Sequence, residues 1–188
     1  MRKLQEEFVR RKVLKLRTVL AEGVALGGAV GLKTSDEALF HTAYLRKLYI
    51  SNLYSFEPRP YLLSLLSSLA RTALKLSLSA PSLHSVLRSS LVSQVLKAWL
   101  GLVDTYETHM DRTMAVFLWV EATFFVESTK GCGGSEKRVS ALMKKLGEVG
   151  RQPGTEKGVL RKQEESAMKA SFVSLFERHE VLLTALHS

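Results

Sequence analysis

Residues 61–103 read YLLSLLSSLARTALKLSLSAPSLHSVLRSSLVSQVLKAWLGLV, forty-three positions without one acidic side chain. Fourteen are Leu and ten are Ser, and the only charges are Arg71, Lys75, Arg88 and Lys97. Leucines recur at helical spacing on both sides of Pro81. Two such runs around a proline turn predict an antiparallel helical hairpin, Tyr61–Ser79 and Leu83–Val103. On the first helix Ser64, Ser68, Arg71 and Lys75 share a face, and on the second Ser85, Arg88, Ser89, Ser93 and Lys97 repeat the scheme. Solvated helix surfaces mix both signs of charge, so an acid-free hairpin is built to sit against protein, phosphate or membrane. The internal source of balancing charge is the acidic run Asp104, Glu107 and Asp111, and the leading external source is RNA phosphate.

The rest of the chain also reads as helix. A first helix over about 2–26 carries one apolar stripe, Val9, Val13, Leu16 and Leu20. Gly23, Gly27 and Gly31 continue that face at spacing four, which is a candidate helix-packing surface. The competing reading is that Gly27 and Gly28 end the helix. A second helix is expected from Ser35 or Asp36 to about Ser55, with Phe40, Tyr44, Leu48, Tyr49 and Leu53 inward, broken by Pro58 and Pro60. A fifth over Thr105–Glu127 is apolar on all sides across Met114–Val126 except at Glu121, so it belongs at the centre of the core. Glu121 then needs a basic partner or a place at a partner interface. After the glycine loop at 131–134, Val139, Leu142, Met143 and Leu146 mark a short helix, and Glu156–His187 a long last one.

These elements predict an all-α irregular bundle of six to seven helices, with a basic N-terminal helical arm and a long C-terminal helix. Its expected divisions are 1–34 (basic helix and glycine-rich segment), 35–130 (helical core), 131–155 (glycine loop, short helix and linker) and 156–188 (C-terminal helix). A chain of 188 residues, 46% apolar, is sized for one such core.

Lys and Arg number 27 against 18 acids, a net charge of +9. That balance suits nucleic acid, anionic lipid or an acidic protein. The candidate phosphate contacts are Lys3, Arg10, Arg11, Lys12, Lys15 and Arg17 on the first helix, and Arg46 and Lys47 on the second. Arg71, Lys75, Arg88 and Lys97 add the hairpin. Arg59, Tyr44, Tyr49, Tyr54 and Tyr61 interleave base-stacking aromatics with cations, although aromatics at helical spacing are more often core. The arm is expected to dock into a partner. Its arginines suit an organellar transit peptide, but Glu6 and Glu7 depart from that pattern, so the arm is expected to be retained.

No residue set reads as an active site. Gly27–Thr34 (GGAVGLKT) looks like a phosphate loop but puts Leu32 between Gly31 and Lys33, with no strand before it. Glu107 and His109 lie two apart on a helix and face different ways, so no metal site is expected. The single thiol, Cys132, has no histidine nearby in sequence to activate it. Catalytic residues, metal ligands, cofactors and a small-molecule substrate are therefore not expected. The leading expectation is a non-catalytic structural subunit of a large assembly, a ribonucleoprotein of mitoribosome type, touching RNA and neighbouring proteins. It would be mitochondrial, otherwise intracellular, and not secreted. The alternative is an accessory subunit of a membrane-embedded complex of respiratory or ATP-synthase type, or a membrane-surface protein.

Overall fold

Pro60 opens the helix that frames the molecule. Its ring supplies the first-turn φ where no N–H is needed, and Arg59 before it is extended (φ −60°, ψ 151°). The computed structural model describes residues 2–32, 56–106, 110, 112–150, 159–160 and 162–187. Its helices are α1 (Arg2–Leu32), α2 (Pro60–Ser79), α3 (His84–Tyr106), α4 (Arg112–Ser128), α5 (Glu136–Gly150), α6 (Lys162–Arg178) and α7 (Glu180–His187). A 3-10 turn, Pro81–Leu83, joins α2 to α3. Among the described residues there is no strand, and the fold is an all-α bundle.

α1 lies against α3 and α2, α4 packs on α5, α3 also meets α5, and α2 carries α7. As the apolar run over Met114–Val126 predicts, α4 is central: Ala115, Leu118, Val120, Ala122, Phe124 and Phe125 are buried. Phe124 gathers the rings of Phe56, Phe172 and Phe176 at 5.9, 5.2 and 5.5 Å, joining α4 to α6. Trp99 of α3 meets Phe125 edge-on at 5.7 Å. On α1, Leu16 and Leu20 are buried and Val9 and Val13 half-buried, so the predicted stripe is a core face. Leu16 and Leu20 thus pack the arm on its own bundle, with Arg10, Arg11, Lys15 and Arg17 left exposed.

Four boundaries differ from the sequence reading. α1 runs on through Gly27 and Gly28 to Leu32, since glycine weakens a helix without ending it. α3 continues to Tyr106, carrying Asp104 one residue beyond the buried stripe of Val95, Trp99 and Val103. α4 begins at Arg112, so Asp104 belongs to α3 and not to the next helix. The long last helix starts at Lys162 and is interrupted at His179. Its two halves cover different neighbours: α6 lays Phe172 and Phe176 on Phe124, whereas α7 packs on α2. The helix expected over 35–55, with Arg46, Lys47, Tyr44, Tyr49 and Tyr54, lies outside the described residues, as do Glu107, His109 and Asp111.

Candidate cationic interface

The α1 cations divide into three groups. Arg10 Nε donates to Glu7 Oε2 at 2.9 Å and Arg11 Nε to Glu7 Oε1 at 2.8 Å. The Arg10 hydrogen bond, with that of Arg11, holds the Glu7 carboxyl below its usual range. Lys12 Nζ sits 5.9 Å over the Phe8 ring. Lys15 and Arg17 are exposed and form no ion pair among the described residues. Lys3 lies in α1, with its side chain outside the described set, and Gly27 and Gly31 are placed as helical backbone only.

Arg17 and Lys97 both line a groove between α1 and α3, about 630 Å³ in volume. Thr18, Ala21, Ala98 and Gly101 line it with small side chains, and Glu22 stands among them. Lys97 is exposed and unpaired among the described residues. Sequence spacing alone does not bring Arg17 and Lys97 together. The packing of α1 on α3 does.

The two serine faces of the hairpin end up in different places. On α2, Ser64, Arg71 and Lys75 remain exposed, and neither cation has an ion pair among the described residues. On α3 the glycine loop covers the middle of the face. Ser89 Oγ donates to Gly133 O, and Arg138 Nη1 donates to Ser93 O at 2.7 Å. Gly133 has φ +79°, and a Cβ there would lie 2.9 Å from Ser89 Oγ, so the loop's glycines permit this approach. Arg88 turns inward, its Nη1 donating to Leu186 O at 3.1 Å at the end of α7. Asp104 pairs with Lys145 of α5 and not with any hairpin cation. Of the acidic run expected to neutralise the hairpin, Asp104 is the described member, and its partner is Lys145.

Arg59 and Tyr61 are core groups rather than a stacking platform. Arg59 donates to both Glu121 oxygens, at 2.8 and 2.6 Å, and to Gly23 O at 3.1 Å. Tyr61 Oη donates to Glu121 Oε2 at 2.7 Å. The Arg59 guanidinium also lies 4.4 Å from the Phe117 ring centre. Burial alone lowers the Arg59 pKa, but the Glu121 carboxylate reverses that and leaves it raised. Burial, reinforced by Glu121, holds the Tyr61 phenol well above 10.0. The need for a basic partner at Glu121 is legible in the sequence, but the choice of Arg59 is not.

Folding also brings together a thiol and an imidazole that local sequence separates. Cys132 Sγ lies 3.6 Å from His187 Nδ1 and 3.8 Å from Leu186 O. His187 Nε2 lies 3.1 Å from Ser128 O. A carbonyl only accepts, so Nε2 carries the hydrogen and, in the neutral ring, Nδ1 is left to accept from the thiol. Yet Cys132 is only 2% exposed, and burial raises its pKa, which keeps it a thiol rather than a nucleophilic thiolate. Among the described residues no three His, Cys, Asp or Glu side chains converge as metal ligands. Comparison with protein-family models, curated proteins and solved structures finds no match.

Proposed function

We propose that the chain is a non-catalytic structural subunit of a large assembly, a ribonucleoprotein of mitoribosome type, in which α1 and α3 hold RNA phosphates while other faces meet neighbouring proteins. One observation carries the reading: Arg17 and Lys97 line the same open groove with no ion pair among the described residues. Exposed cations on helices are ready to replace the counterions of a phosphate backbone. An assembly of this class would place the chain in a mitochondrion.

The test is fluorescence anisotropy with a labelled single-stranded RNA at increasing salt. Each phosphate neutralised contributes about −0.7 to the slope of log K against log salt. Neutralising the pair by Arg17→Gln and Lys97→Gln is expected to weaken binding and flatten that slope by about 1.4. No binding at low salt, or an unchanged slope in the folded double variant, overturns the reading.

A further inference from the structure

The outer stripe of α2 differs in kind from the α1–α3 groove. Arg71, Leu74, Lys75 and Leu78 fall at i, i+3, i+4 and i+7, so they share one face of the helix. All four are exposed, Leu74 at 45% and Leu78 at 80%. Leu78 lies in the last turn before the bend at Pro81–Leu83, and Val86, 63% exposed, lies in the first turn after it. The bend of the hairpin is thus an apolar tip with two cations one turn behind it. Exposed Ser79, Ser82 and Ser85 are the small polar groups around it.

The tip's occupant must satisfy leucines and cations together. A phosphate backbone has no use for an exposed leucine, and among the described residues Leu78 is 80% exposed. The acyl–headgroup boundary of an anionic membrane takes both: the apolar side chains enter the boundary while Arg71 and Lys75 meet the headgroups. The charge pattern matches, since 61–103 has no carboxylate to be repelled and Arg71 and Lys75 have no ion pair among the described residues. α3 with its leading turn, Pro81–Tyr106, is by length and composition long and apolar enough to cross a bilayer. Leu87, Leu91, Val95, Leu96, Trp99 and Val103 are buried, so one face of this helix already serves the core.

We infer that the α2–α3 hairpin tip is a docking element for anionic membrane surfaces, with Leu78 and Val86 entering the interface and Arg71 and Lys75 on the headgroups. This surface is separate from the groove assigned to RNA.

The test is flotation of the full chain with phosphatidylcholine vesicles and with vesicles of phosphatidylcholine and phosphatidylglycerol. Binding is expected to the mixed vesicles and not to phosphatidylcholine alone. Leu78→Glu with Val86→Glu should abolish it. Arg71→Gln and Lys75→Gln should each weaken it roughly fivefold, the equivalent of about 1 kcal/mol per headgroup cation. All four positions are exposed, so thermal unfolding should match the parent, and Arg17→Gln with Lys97→Gln should leave vesicle binding intact. Three outcomes overturn the assignment: no binding to the mixed vesicles, binding that survives the Leu78 and Val86 changes, or vesicle-independent loss of RNA binding on changing Arg71 and Lys75.

Discussion

Arg59 and Glu121, from opposite ends of the core sequence, close a two-point ion pair around a carboxylate with no solvent exposure. Arg59 precedes α2, Glu121 lies in mid-α4, and the same guanidinium reaches Gly23 O on α1, so one side chain ties three helices. Breaking such a pair strands a buried charge, which costs about 3–5 kcal/mol. Arg59→Ala is therefore expected to lower stability by that amount in urea titration. Arg59→Met combined with Glu121→Leu removes both charges and should recover much of the loss. A double variant no better than Arg59→Ala would show that packing of the guanidinium on Tyr61 and Phe117, rather than the stranded charge, dominates.

Two helix-interior glycines should respond to alanine with opposite signs. A Cβ at Gly23 would lie 2.1 Å from Tyr61 Cγ, and Tyr61 is anchored by its bond to Glu121. The ring cannot withdraw, so overpacking of about 1–3 kcal/mol outweighs the better helix propensity of Ala. A Cβ at Gly101 meets nothing within 4 Å. Gly101→Ala should then raise stability by about 0.5–1 kcal/mol. Thermal unfolding of the two single variants checks the contrast.

Phe124 sits among three aromatic rings from the segment before α2 and from α6. Phe124→Ala is expected to cost about 3–5 kcal/mol by chemical denaturation. Arg11→Gln should stay within about 0.5 kcal/mol, because its pairing with Glu7 is solvent-exposed.

Periodicity in the sequence identifies faces, and the faces came out where the spacing puts them: the Leu62–Leu76 side of α2, most of the girth of α4 with Phe117 and Trp119 half-buried, and the Val9–Leu20 stripe. Punctuation by Pro60 and Pro81 located the hairpin for the same local reason. Partners across long sequence distances carry no such signal. Nothing near Arg88 in sequence announces that the last carbonyls of α7 will arrive beside it. A helix C-terminus, with unsatisfied carbonyls and a partial negative charge, draws in a cation that spacing alone would leave with Lys97. The break at His179 is similarly silent, with no glycine or proline to mark it, because it is set by two different neighbours. The Arg17–Lys97 groove depends on how α1 docks on α3, which neither helix encodes alone.

The buried thiol gives a pH-dependent test. Burial raises the Cys132 pKa above the ordinary value near 9.0, so folding favours the neutral thiol. The contribution to stability is full below pH 9 and is lost as pH rises through the folded-state pKa, because the unfolded chain gives up the proton first. Tyr61, also raised by burial, adds the same trend above pH 10. Stability from urea titration should therefore fall as pH rises above about 9, and Cys132→Ala should flatten the first part of that fall while leaving the part above pH 10 to Tyr61. Alkylation by iodoacetamide at pH 8 should be at least a hundredfold slower in the folded chain than in urea, since the thiol is both covered and protonated. His187→Ala removes the Nδ1 acceptor and the bond to Ser128 O, loosening the end of α7 over the sulfur, and should speed the reaction. If alkylation of the folded chain is as fast as in urea, Cys132 is not covered by α7, and the thiol–imidazole contact is not the resting arrangement.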